Sequence, residues 1–173
     1  AMEGTIGTRF TLTGSGFGDK KPAVYVEYQK NPGQVKKVSA KVESYSDTSV
    51  TCIWTGVLPA GTYNLFLKPK TKGALPVSMG NFIIKNPIIE NAVPNTGSRG
   101  DVISIQGYYF SSAKPKVYLE DPVTLKRTNC KVSDSTMDPI TGASSLHFVV
   151  PRIGFNQQRL VLKNKISEVV SQY

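Results

Sequence analysis

One stretch of this chain is written twice. Gly14-Ser15-Gly16-Phe17 recurs as Gly107-Tyr108-Tyr109-Phe110; in each copy an alternating polar and apolar run leads in, and a Lys-Pro then opens a Val-Tyr run. Gly7 matches Gly100, Phe10 and Leu12 match Ile103 and Ile105, and residues 21–27 match 114–120, all at one offset of 93 residues. A fixed offset sustained over many positions marks a duplicated folding unit. Later matches drift by small insertions: Lys41-Val42 with Lys131-Val132, residues 49–54 with 145–150, and residues 64–68 with 159–163. Turns tolerate such insertions, so the drift leaves the duplication intact. The chain therefore divides into two units, 1–85 and 86–173.

The matched runs have the period of strands. Residues 8–13 place Phe10 and Leu12 on one face, and residues 23–28 place Val24, Val26 and Tyr28 opposite Tyr25 and Glu27. No segment sustains an apolar period of 3.6. Frequent turn residues, 15 Gly and 11 Pro, separate many short strands, which predicts an all-β chain with one β-sandwich in each unit. Residues 88–93, bounded by Pro87 and Pro94, read as the first strand of the second unit. The first unit has no counterpart to them and is expected to lack its first strand. An open sheet edge would result, through which two copies could pair as an edge-strand dimer.

Composition narrows the chemistry. Cys52 and Cys130 fall at non-equivalent positions of different units and read as buried free thiols. No apolar run is long enough to span a bilayer, so no membrane insertion is expected from these residues. Ala1-Met2 reads as a cloning remnant and the chain as a piece of a longer protein. Net charge is +9, of which +6 lies in residues 1–85 and +3 in 86–173. Lys20-Lys21, Lys36-Lys37 and Lys68, Lys70 and Lys72 could join into one basic patch. Nucleic-acid readers usually rely on Arg, which is scarce here, so nucleic acid is the lesser reading of that patch.

No constellation for catalysis stands out. His147 is the single histidine; it sits on a strand opposite the core face and has no cysteine pair at zinc spacing. Asp134-Ser135-Thr136-Met137-Asp138 lacks the glycine and terminal Glu of a calcium loop and reads as a polar hairpin tip. Gly14-Ser15-Gly16-Phe17-Gly18 is followed by no helix and reads as strand-turn glycine, not as a phosphate cradle. The expectation is no enzyme, with no catalytic, cofactor-binding or metal residues. Tyr25, Tyr28, Tyr108, Tyr109 and Tyr118 could include a contact surface for protein or glycan. The candidate interaction residues are Tyr108, Tyr109, Lys68, Lys70 and Lys72.

The run Pro87-Ile88-Ile89, Val93-Pro94-Asn95-Thr96-Gly97, residues 100–107 and Phe110 resembles the opening of an IPT/TIG domain. Gly4, Gly7, Gly14, Gly16, Phe17 and Gly18 resemble the same signature, and residues 46–51 and 59–65 resemble its later strands. The resemblance implies two tandem immunoglobulin-like sandwiches of the E-set type. It further implies a spacer or interaction module of a larger cell-surface or secreted protein, bacterial in origin, with protein or polysaccharide as partner. The alternatives are nucleic-acid binding and an accessory module of a polysaccharide-degrading enzyme. In the second unit Tyr108, Tyr109 and Ser111 replace Ser15, Gly16 and Gly18, so that loop is expected to differ in shape.

Overall fold

The computed structural model describes residues 2–154 and 156–171; the Ala1 half of the presumed remnant lies outside them. The chain forms two compact units, Ala1–Lys85 and Asn86–Tyr173. Both are all-β.

In unit 1 the strands are β1 (Met2–Gly4), β2 (Arg9–Thr13), β3 (Ala23–Asn31), β4 (Gln34–Ser39), β5 (Lys41–Tyr45), β6 (Ser49–Ile53), β7 (Gly61–Lys68) and β8 (Val77–Ile84). They make a five-stranded sheet, β1-β8-β7-β3-β4, and a three-stranded sheet, β2-β6-β5. Alternation puts Phe10, Leu12, Val24, Val26, Leu65 and Leu67 into the core between them. At its centre the Phe82 ring lies 5.0 Å from Phe10 and 5.3 Å from Trp54, centroid to centroid.

Unit 1 opens on a strand that the sequence does not announce and that is not the counterpart of residues 88–93; β1 runs parallel to the end of β8, with Met2 opposite Phe82 and Gly4 opposite Ile84. Three residues are too few to show a period, and what holds them is tertiary. The Lys85 N–H donates to the Gly4 carbonyl at 2.8 Å, and the Lys85 ammonium stands 3.4 Å from Glu3. β2 nevertheless forms the outer strand of its sheet among the described residues.

Unit 2 contains β9 (Ile88–Val93), β10 (Val102–Tyr108), β11 (Lys116–Glu120), β12 (Arg127–Met137), β13 (Ala143–Val149), β14 (Arg159–Lys163) and β15 (Glu168–Val170). The order is β15-β14-β11-β12-β13-β10-β9, so β9 covers the edge that stays open on β2. The two halves of the sandwich share β12, whose first part pairs with β11 and whose second part, from Lys131 on, pairs with β13 with an irregularity between Val132 and Asp134. In unit 1 the same path is cut into β4 and β5 at Ala40, whose N–H turns to the Val24 carbonyl at 2.9 Å.

The ladders repeat with the sequence. Phe10 faces Cys52 as Ile103 faces Phe148, Val24 faces Leu67 as Val117 faces Leu162, and Val42 faces Cys52 as Val132 faces Phe148. Each pair is related by the offsets read from the sequence. A one-residue slip would turn every apolar side chain outward, so the shared register follows from the shared alternation.

The doubled corner keeps its backbone where its residues change. Gly16 and Gly18 have φ of 73° and 86°, and their replacements Tyr109 and Ser111 hold φ of 60° and 88°. The corner of unit 2 therefore keeps both left-handed positions. Local bonds fix it: Tyr109 N–H to the Gly142 carbonyl at 2.8 Å, Phe110 N–H to Ser144 Oγ at 3.1 Å, and Asn164 Nδ2 to the Tyr109 carbonyl at 3.1 Å. The preceding glycines serve close approach. A Cβ on Gly14 would come 2.7 Å from Phe17 Cζ, and one on Gly107 would strike the backbone carbonyl of Ile88. Phe17 and Phe110 are both buried as plugs of their sandwiches.

Candidate functional site

Lys68, Lys70 and Lys72 alternate along the end of β7 and the turn after it. Ala23, at the start of β3, pairs with Lys68, which brings Lys21 to the same place. Lys21, Lys68, Lys70 and Lys72 together line a hollow of about 620 Å³, with Pro22 and Pro69 among its walls. None of the four enters an ion pair among the described residues. Four ammonium groups around one concavity reinforce one another's potential and attract anions. Lys37 does not join them; its ammonium stands 4.9 Å from the centroid of the Tyr25 ring.

A second hollow, of about 520 Å³, lies in unit 2 between β11 and β12 and has Lys114, Lys116, Lys131 and Tyr118 on its wall; it is not the counterpart of the first, which lies between β3 and β7. There the Lys114 ammonium donates to the Val132 carbonyl at 3.0 Å.

The tyrosines do not assemble into an open aromatic platform. Tyr109 is only 8% exposed, and its ring covers Gly142, where an added Cβ would meet it. Its carbonyl and N–H are the ones bound at the corner, so Tyr109 is a plug and not a contact residue. Tyr108 is half-buried, its ring centroid 6.0 Å from that of Tyr109. Tyr25 is buried against Phe66, and Tyr28 and Tyr118 are half-buried.

The groups with chemical potential hold structural posts. His147 is 43% exposed on its side chain, off the core as its strand position requires, with Nδ1 2.7 Å from Asp134 Oδ1. Asp134 and Met137 belong to β12, so the expected hairpin tip begins only at Asp138. Asp138 Oδ1 accepts the N–H groups of Ile140 and Thr141 at 2.8 and 2.9 Å, which hold its carboxyl below the usual range. Both cysteines are free and buried. Burial pushes the Cys52 thiol up to about 12 and the Cys130 thiol to about 11, so each stays protonated near neutrality. Among the described residues no three His, Cys, Asp or Glu side chains are grouped to hold a metal ion. No helix among them is long and apolar enough to cross a membrane.

Two features escape sequence reasoning. Buried Glu120 receives Arg127 Nε at 2.7 Å and Arg159 Nη2 at 3.3 Å, and Arg127 reaches on to Glu168 at 2.9 Å. These residues come from four strands, so no local pattern announces the cluster. The second is a cleft of about 600 Å³ in unit 2, with Ile103, Leu119, Phe148, Val150 and Leu160 as its apolar floor. Polar side chains of Asn156, Gln157 and Gln158 rim it.

Three comparisons bear on this geometry. The family model described as the IPT/TIG domain matches residues 2–83, nearly the whole of unit 1. No curated protein matches the chain. Among solved structures the chain is similar to SGBP-B of the mixed-linkage glucan utilization locus of Bacteroides ovatus, in complex with a mixed-linkage heptasaccharide. That likeness has a TM-score of 0.36 and 12% identity, and covers 97% of this chain and 39% of the other. The chain thus spans well under half the length of that protein.

Proposed function

We propose that the chain is a non-catalytic spacer and interaction module of a larger cell-surface or secreted bacterial protein, and that the lysine hollow of unit 1 is its contact surface. The convergence of Lys21 with Lys68, Lys70 and Lys72 carries this reading, because four ammonium groups with no ion pair among the described residues line one concavity. The IPT/TIG match of unit 1 supports a binding module, and the common register supports placing unit 2 in the same family. A fold alone does not assign a ligand, so the partner is argued from the lysines. Their chemistry suits an acidic polysaccharide, whose repeated carboxylates or sulfates would meet several ammoniums at once.

A glycan array that includes uronate and sulfated chains tests this. Binding is expected to acidic glycans, to weaken with salt, and to be lost in the Lys68→Glu, Lys70→Glu, Lys72→Glu variant. Failure to bind any acidic glycan at low ionic strength would remove the reading. Equal, salt-dependent retention of random duplex DNA through the same lysines would favour the nucleic-acid alternative.

A further inference from the structure

The hollow of unit 2 between β11 and β12 is built around a tyrosine whose counterpart in unit 1 is closed. Tyr118 matches Tyr25 at the offset of 93 residues. Each stands between two core residues of its strand, Val117 and Leu119 or Val24 and Val26, so both rings leave the sheet on the face away from the core. In unit 1 the chain covers that ring itself. Tyr25 is 4% exposed, stacked on Phe66 with ring centroids 5.6 Å apart, and the Lys37 ammonium stands 4.9 Å from its centroid.

Neither cover exists at the matching place in unit 2. Phe66 lies opposite Tyr25 as Val161 lies opposite Tyr118, and valine has no ring to stack. Lys37 lies opposite Glu27 as Arg127 lies opposite Glu120, but the Arg127 guanidinium is bound to Glu120 at 2.7 Å and to Glu168 at 2.9 Å. Tyr118 is left half-buried, and among the described residues its side chain has no ring contact and no hydrogen bond. On the wall of the same hollow stand Asn129, directly opposite Tyr118 on β12, and Lys116 and Lys131. None of these three side chains has a partner among the described residues. Lys114 spends one of its ammonium N–H groups on the Val132 carbonyl.

We infer that this hollow is a subsite for one uronate residue of an acidic glycan. The C–H groups on one face of a pyranose carry small positive charges and suit the negative face of the Tyr118 ring. The Asn129 amide both donates to and accepts from neighbouring hydroxyls, and the Lys116 and Lys131 ammoniums bond the carboxylate with charge assistance. A cationic side chain, such as covers the ring in unit 1, is repelled here by Lys114, Lys116 and Lys131. The subsite lies in unit 2 and stands whether or not the lysine hollow of unit 1 binds anything.

The whole chain carrying Lys68→Glu, Lys70→Glu and Lys72→Glu isolates it, because the unit 1 hollow is then disabled from the start. Trimers of galacturonate and of mannuronate are the probes, with neutral galactotriose as the control. At low ionic strength a uronate trimer should bind one to one, weaken with salt, and move the Tyr118 ring resonances. Tyr118→Ala should weaken binding at least about tenfold, and Tyr118→Phe much less, since the ring face remains. Lys116→Gln with Lys131→Gln, at exposed positions that leave the thermal transition in place, should remove the preference over galactotriose. Binding of neither uronate trimer at millimolar concentration overturns the inference, as does binding that the lysine pair leaves unchanged. So does galactotriose bound as tightly as the uronates, or single-stranded DNA that displaces them at lower concentration.

Discussion

Two turns of unit 2 are spelled alike and bonded alike, yet one of them carries a leucine where the other has glycine. In 121–126, Asp-Pro-Val-Thr-Leu-Lys, Asp121 Oδ1 accepts from Val123 and Thr124 at 2.8 and 2.9 Å, and Leu125 N–H returns to the Asp121 carbonyl at 2.8 Å. In 138–143, Asp-Pro-Ile-Thr-Gly-Ala, the same bonds recur, with Gly142 N–H on the Asp138 carbonyl at 2.9 Å. Leu125 has φ of 59° and Gly142 of 77°. A left-handed leucine costs roughly 1–2 kcal/mol over glycine in the folded chain, partly offset by glycine's greater freedom unfolded. Leu125→Gly should therefore raise stability by about 1 kcal/mol, read as a higher urea midpoint at unchanged slope. The Asp-Pro-x-Thr string was legible in the sequence, but a leucine in a glycine conformation was not, because that conformation is imposed by the aspartate bonds.

The carboxylates of these turns also set a pH dependence. Backbone N–H bonds hold Asp121 and Asp138 below the ordinary carboxylate range, and the Arg127 guanidinium holds Glu168 there. A folded-state value below the unfolded one stabilises above the unfolded value, and that stabilisation fades as pH falls through the folded value. Stability should thus decline on acidification from the usual carboxylate range downward. Asp138→Asn should make the urea midpoint less steep against pH over that range; an unchanged profile would refute the assignment.

At the scale of elements, the aligned glycines of the doubled corner serve different neighbours and should respond differently. A methyl on Gly14 meets the end of the Phe17 ring, which can rotate away, whereas one on Gly107 meets the β9 backbone at Ile88. Overpacking of a movable side chain costs about 1–3 kcal/mol. Gly107→Ala should cost more than Gly14→Ala and should expose the β9 amides to exchange. The alternation made the strands and their register readable, and from the register came the equivalence of the two cores. It could not reveal β1, nor the continuity of β12, because these depend on which partner strand is near and not on period. The outer edge of β2 remains the place where two copies are proposed to pair; light scattering that reads monomer at all concentrations would dismiss it.

For the molecule as a whole, separate polypeptides of residues 1–85 and 86–173 are each expected to unfold cooperatively, since each unit has its own apolar core. Calorimetry of the two pieces checks this. Their thiols should react with a disulfide reagent only on unfolding, Cys52 reporting unit 1 and Cys130 unit 2. How much of the candidate site was legible follows the same line. The sequence offered Lys21 and Lys37 alike as neighbours of Lys68, Lys70 and Lys72; the pairing of β3 with β7 brings Lys21 to them, while Lys37 turns to the Tyr25 ring. Tyr109 looked like a surface residue until Gly142, far along the chain, was found beneath its ring.

The parallel pairing of β1 with β8 has a mechanical meaning. Tension applied at the two ends of unit 1 pulls these neighbouring strands in opposite directions along their own length. The bonds between residues 2–4 and 82–84, with the Lys85 N–H on Gly4, are then loaded side by side in shear instead of opening one after another like a zipper. A unit tethered at both ends would yield to force abruptly, and only after that short clasp gives way.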